Sequence, residues 1–199
     1  CASFGVGYDA VDTACAAAQG VIVTNTPDVL TEEVADTTIG LLINTLRELP
    51  KAEAWLRGGK WVGVGAYPLS RGSLRGRHVG IFGLGRIGRA IGRRIEAFGL
   101  PLSYHNRRPV AGVGWAYHAT LEGLAHAVDT LICVAPGSGT EGAINERVLR
   151  ALGPQGVLIS MGRGTTVDEA ALIDALAMGR IMAAGLDVHA DEPRVSKAL

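Results

Sequence analysis

Two short stretches of this 199-residue chain carry residue types suited to chemistry. The first is Gly83-Leu84-Gly85-Arg86-Ile87-Gly88, three glycines at GxGxxG spacing. The spacing alone is weak evidence, but its surroundings strengthen it. The apolar run His78–Phe82 precedes the loop, and a helical pattern reaching Phe98 follows at once. At such a turn the first two glycines let the backbone bend tightly and approach a pyrophosphate, and the third lets the helix pack closely on the strand. The helix start supplies free N–H groups and a positive dipole end, and Arg86 adds charge. The loop is therefore assigned to the pyrophosphate of a dinucleotide; the alternative is a ligand-free glycine turn. The second stretch is Gly162-Arg163-Gly164, directly after the apolar run Val157–Ser160. An arginine between glycines at the carboxyl end of a strand can present a planar fork to a carboxylate. Taken alone, a surface arginine explains it as well.

A third stretch bears on the kind of dinucleotide. About twenty residues past the glycine loop, an NAD site usually places Asp or Glu against the ribose 2′-hydroxyl. This chain has His105-Asn106-Arg107-Arg108 and no acidic residue. Two arginines suit a 2′-phosphate, which a guanidinium can grip with two parallel hydrogen bonds. NADP(H) is favoured over NAD(H), unless both arginines are solvated loop charges and either cofactor binds.

These residues need a scaffold that brings strand ends to one edge, and the chain alternates accordingly. Strands are predicted at Val21–Val23, His78–Phe82, Leu102–His105, Thr130–Val134, Val157–Ser160 and Ala183–Val188. Helices are predicted from Thr31, as a capping residue, to about Glu48, and at 51–57, after the glycine loop to Phe98, and at 121–127, 145–152 and 168–178. Gly99 and Gly179 stop two of them. Residues 60–76, rich in Gly, Pro and Ser, are predicted to be a loop. Strand–helix alternation of this length implies an α/β fold, a Rossmann-type doubly wound parallel sheet.

Composition limits the remaining functions. Lys+Arg and Asp+Glu both number 19, so the formal net charge is zero, which argues against a nucleic-acid binder. Apolar residues make up 48%, enough for a sizeable core. Cys1, Cys15 and Cys133 form no CxxC pair, against a zinc site or disulfide framework and in favour of a reducing, cytoplasmic setting. No apolar run approaches the roughly 18 residues that would span a bilayer. The chain opens without Met and stops at Leu199 inside an apparent new segment, so a piece of a longer protein is expected.

Three blocks together are far more specific than any one. Gly83–Gly88, then Ser160-Met161-Gly162-Arg163-Gly164-Thr165-Thr166-Val167-Asp168-Glu169, then Ala184-Gly185-Leu186-Asp187-Val188-His189-Ala190-Asp191-Glu192-Pro193 resemble the D-isomer-specific 2-hydroxyacid dehydrogenase family in order and spacing. Within that family the sequence is similar to the glyoxylate, hydroxypyruvate and hydroxyphenylpyruvate reductases. The resemblance runs through nearly the whole chain, from Val6-Gly7-Tyr8-Asp9 onward. It implies that residues 1–22 end a second, flavodoxin-like substrate domain and that residues 23–199 form the NAD(P)-binding domain without its C-terminal end.

The resemblance also implies roles. Arg163 matches the arginine that binds the substrate carboxylate and polarises the 2-oxo group. Glu192 matches the carboxylate partner of the catalytic histidine, Asp187 a residue beside the nicotinamide, and Met161 a backbone position along the cofactor. Val6 and Gly7 match the loop whose N–H groups receive the substrate carboxylate. The expected reaction is reduction of a small 2-oxo acid without a metal, with a histidinium as proton donor. The family's histidine lies past the Glu-Pro turn, beyond this chain. His78, His105, His118 and His126 do not fit it, and His189 occupies an aromatic position and is taken as a packing residue. The helix from Thr31 is the expected homodimer contact. Two alternatives stay open: an NAD-linked dehydrogenase of the 3-phosphoglycerate type, and a dinucleotide-sensing protein like the corepressors of this family.

Overall fold

The computed structural model describes residues 1–199. Four helices come first: α1 (Thr13–Ala18), α2 (Thr31–Arg47), α3 (Leu49–Arg57) and α4 (Lys60–Gly63). Strands and helices then alternate: β1 (Val79–Phe82), α5 (Arg86–Ala97), β2 (Leu102–His105), β3 (Ala116–His118), α6 (Leu121–Ala127), β4 (Thr130–Cys133), α7 (Glu146–Leu152), β5 (Val157–Ser160), α8 (Glu169–Ala177) and β6 (Ala183–Leu186). A 3-10 turn, Gly164–Thr166, separates β5 from α8.

The six strands form one sheet in the order β3-β2-β1-β4-β5-β6, every neighbouring pair parallel. This is the Rossmann arrangement, with its direction of growth reversing between β1 and β4. Strands buried on both faces are expected to be largely apolar, and here only Ser103, Thr130 and Ser160 are buried polar side chains among them. Along β5, Val157 and Ile159 face one core and Leu158 the other. The first core joins α2 and α5 to the sheet through Ala35, Leu42, Leu46, Ile91 and Ile95. The second joins α6, α7 and α8 through Leu124, Val148, Leu149 and Leu172. The two layers clamp the sheet, so the loops at its carboxyl edge stand on a rigid base.

Several local expectations differ from the structure. Val21–Val23 is not a strand; only Ala2 and Thr24 bridge there, and Ile22 is 79% exposed. β-Branched residues favour a strand only where a partner and a buried face exist. Thr31 is the first helical residue of α2 and does not cap it; Leu30 occupies the cap position without a side-chain bond. The chain enters that helix through Asp28, whose φ is 72°. α3 starts two residues earlier than expected because Pro50 is tolerated in a first turn and Glu48, at φ 53°, breaks the chain between helices. Within the expected loop 60–76, α4 forms a single turn. β3 and α1 were not foreseen: β3 is three residues at the sheet edge, and α1 is six residues capped by Asp12 with none buried. The helix starts at Asn145 and Asp168 do hold, each residue accepting from the first-turn amides of α7 and α8.

Candidate active site

A crevice of about 1020 Å³ opens at the switch point, over the carboxyl ends of β1 and β4. Phe82, Gly83 and Gly85 line one wall, Val134, Ala135 and Pro136 the other, and His105 to Arg108 close the far end. Here the glycines are geometric requirements. A Cβ on Gly83 would stand 2.6 Å from the Ala135 nitrogen, so β1 can leave beside β4 only as glycine, and its φ is 102°. A Cβ on Gly88 would overlap the Gly83 carbonyl oxygen, which is how α5 comes close to the turn. A Cβ on Gly85 would meet nothing within 4 Å, because Gly85 faces the open crevice. The N–H groups of Arg86, Ile87 and Gly88 find no acceptor in the chain, and the positive end of the twelve-residue α5 points there. The cradle fits a phosphate: a backbone that can be approached closely, with donors and no competing side chain.

The far end of the crevice is prebuilt. Leu84 N–H donates to Asn106 Oδ1 at 2.6 Å, tying the glycine loop to the end of β2. Tyr117 Oη donates to the Asn106 carbonyl at 3.3 Å, and Val110 N–H donates to Tyr104 Oη at 2.9 Å. The segment carrying Arg107 and Arg108 is thus held at both ends while both guanidinium groups stay exposed and unpaired. Asn106 acts here as a brace on the loop. Arg86 is engaged too, Nε lying 2.9 Å from Asp28 Oδ1, so its charge is shared with a carboxylate.

Arg163 leaves β5 on the opposite side of the switch point. Its Nε donates to Asp9 Oδ2 at 2.8 Å and its Nη1 to the Gly162 carbonyl at 2.9 Å. The side-chain stem lies against Gly137, where a Cβ would stand 2.9 Å from Cγ. Its Nη2 lies over Gly7, where any Cβ would overlap it. Val6 and Gly7 are therefore brought to Arg163, although 156 residues separate Gly7 from it in sequence. Their loop is anchored by Asn25 Nδ2, which donates to the Val6 carbonyl at 2.8 Å, and by Thr26 Oγ1, which accepts from Gly5 N–H at 2.9 Å.

The Glu192 turn also touches this loop. A Cβ on Gly164 would overlap the His189 carbonyl group, so the arginine loop rests directly on the turn's backbone. Glu192 Oε1 accepts from His189 N–H, and Glu169 Oε1 from Ala190 N–H, both at 2.8 Å. His189 Nδ1 is buried without a hydrogen-bond partner, 3.6 Å from Glu169 Oε1. Asp187 stands exposed just past β6, its N–H donating to the Ser160 carbonyl at 2.9 Å. The Met161 side chain is 8% exposed and packs in the α2–α5 core, and its N–H donates to the Cys133 carbonyl. Cys133 faces Ser160 across the ladder, and burial pushes its thiol up to about 12, which keeps it protonated and unreactive. Sequence reading missed Asp9, Gly137, Glu169 and Tyr117. Tyr8-Asp9 lies in the stretch that resembles the family, and nothing local in it signals a bond to Arg163.

A parallel sheet in this order, with a glycine cradle at its switch point and an arginine across from it, defines a dinucleotide-binding domain of dehydrogenase type. Residues 39–199 match the NAD-binding domain of the D-isomer specific 2-hydroxyacid dehydrogenases, and the chain belongs to that family. It is 44% identical over 198 residues to glyoxylate/hydroxypyruvate reductase A of Arabidopsis thaliana, covering 99% of this chain and 63% of that protein. The same identity and shares hold for the hydroxyphenylpyruvate reductase of Plectranthus scutellarioides. Among solved structures, it superposes with a TM-score of 0.97 and 65% identity on the NADPH-dependent glyoxylate/hydroxypyruvate reductase of Sinorhizobium meliloti, in complex with NADP and malonate. That match covers 100% of this chain and 62% of the other. The chain thus spans somewhat under two thirds of the relatives it matches. No helix is long and apolar enough to cross a membrane.

Proposed function

We propose that this chain is the cofactor-binding part of an NADPH-dependent reductase of small 2-oxo acids, of the glyoxylate and hydroxypyruvate type. The observation that carries the reading is Arg163, turned over Gly7 at the same sheet edge as the glycine cradle. Gly83, Gly85 and the first amides of α5 hold the pyrophosphate, and Arg107 and Arg108, exposed at the far end, take the 2′-phosphate. Bound there, NADPH supplies the hydride. Arg163 receives the substrate carboxylate together with the amides of Val6 and Gly7, and stabilises the negative charge that grows on the 2-oxo oxygen. Glu192 orients the histidine that delivers the proton and favours its charged form. Asp187 borders the nicotinamide end, and the Met161 backbone runs along the cofactor while its side chain packs behind it.

Residues 1–22 belong to the substrate domain in this reading, and residues 23–199 to the coenzyme domain. A homodimer forms through α2, and the three free thiols suit the cytoplasm. The test is steady-state reduction of glyoxylate, hydroxypyruvate and hydroxyphenylpyruvate by the full-length protein with NADPH or NADH. Turnover of at least one acid with NADPH preferred is expected. No turnover on either cofactor overturns the reading, and a clear NADH preference overturns its cofactor.

A further inference from the structure

We infer that Asp9 is a positioning residue for Arg163: it grips the guanidinium by Nε and turns the Nη1–Nη2 edge to the substrate. The inference rests on the reading that Arg163 binds the 2-oxo acid. An arginine side chain has four rotatable bonds, and a charge that only attracts a carboxylate does not need a fixed orientation. A group that must polarise one oxygen while holding a carboxylate does. Three contacts impose that orientation here. Gly137 carries the stem, Gly7 leaves room for Nη2, and Asp9 takes Nε at 2.8 Å. Of the five guanidinium N–H donors, Asp9 and the Gly162 carbonyl engage two, so three remain, one on Nη1 and two on Nη2.

The support for Asp9 is itself fixed. Its loop is tied down by Asn25 on the Val6 carbonyl, by the reciprocal Gly5–Thr26 bonds, and by a turn from Val11 N–H to the Tyr8 carbonyl. Both side chains of the pair are 43% exposed, so the bridge contributes little to stability. What it fixes is direction. It also links the segment that presents Val6 and Gly7 to the arginine across 154 residues, which brings the two halves of the anion site into one register. Asp9 accounts for why a lone arginine on a glycine-flanked loop points one way.

The test compares wild type with Asp9→Ala and Asp9→Asn, the second keeping an acceptor oxygen for Nε. For Asp9→Ala, kcat/KM for glyoxylate falls roughly 10- to 100-fold. Its NADPH Kd stays within about twofold and its Tm within about 4 °C. Asp9→Asn recovers most of the loss. A second readout needs no turnover: the Arg163 Nε–H resonance, protected from solvent exchange in wild type and in Asp9→Asn, loses protection in Asp9→Ala. Wild-type kcat/KM in Asp9→Ala, or an unchanged Nε–H resonance, overturns the inference. So does a parallel loss of NADPH binding and Tm, which marks a merely structural role. If wild type reduces no 2-oxo acid, the proposed function fails, while the resonance still decides whether Asp9 holds Arg163.

Discussion

Replacing Gly88 with alanine and Gly85 with alanine should separate folding from cofactor binding within a single six-residue loop. At Gly88 the new methyl overlaps the Gly83 carbonyl oxygen and stands 3.3 Å from Ile81 Cγ2. The carbonyl cannot yield cheaply, because Gly83 N–H is bonded to the His105 carbonyl at 3.1 Å and Gly85 N–H donates to the Gly83 carbonyl at 3.0 Å. α5 must therefore shift off the sheet, where it buries Ile91 and Ile95. Overpacking against fixed backbone costs about 3 kcal/mol, and alanine returns about 1 kcal/mol of helix propensity. The net loss of about 2 kcal/mol lowers Tm by roughly 4–8 °C in a domain of this size. At Gly85 the methyl meets nothing within 4 Å and φ is −86°, so the fold is kept. That methyl projects into the crevice where the backbone must approach a pyrophosphate. Thermal melting and fluorescence titration with NADPH read the two effects: Gly88→Ala melts early, and Gly85→Ala melts normally but binds NADPH at least about tenfold more weakly. A wild-type Tm for Gly88→Ala, or wild-type NADPH affinity for Gly85→Ala, refutes this account of the loop.

Three further outcomes follow from the same structure. Arg107→Ala and Arg108→Ala should each weaken NADPH binding about tenfold at low salt and leave NADH affinity unchanged, with the difference shrinking as salt rises; isothermal titration at two ionic strengths checks it. Arg77 is 7% exposed, and its Nη1 reaches Asp129, Thr130 and the Gln155 carbonyl, so Arg77→Ala strands these acceptors. A cost of about 3 kcal/mol is expected, a fall in Tm of roughly 6–12 °C, with NADPH affinity per folded molecule intact. The Cys133 thiol, raised from 9.0 to about 12 by burial, ionises first in the unfolded chain, so it contributes a loss of stability as pH rises from 9.0 towards about 12 and none below. Iodoacetamide at pH 8 should alkylate the exposed Cys1 and Cys15 and reach Cys133 only on unfolding, as peptide mass mapping will read.

The alternating pattern from residue 78 onward was readable because each signal is local. A strand of four buried residues, a glycine turn and a capped helix lie within about twenty residues, and their periodicity does not depend on what packs against them. The glycine cradle, the helix starts at Asn145 and Asp168, and the strand ends on which Arg163 and Asp187 stand all came from such signals. Residue type misled where the outcome depended on a neighbour. Val21–Val23 has strand composition but no strand beside it. β3, at the sheet edge and half exposed, has too little pattern to announce itself, yet it places Tyr117 on the Asn106 carbonyl.

By itself the sequence determined the parallel sheet, the cradle at Gly83–Gly88 and the basic end at Arg107 and Arg108, since these depend on backbone conformation and spacing within one unit. Only the tertiary structure decided how the site is held. Asp9 meets Arg163, Gly7 makes room for it, Asn106 turns to brace Leu84, and Met161 turns into the core. Each of these is set by which strand ends meet at one edge. Contacts spanning up to 156 residues leave no periodicity in the chain, because neither partner needs anything of its own neighbours to form them.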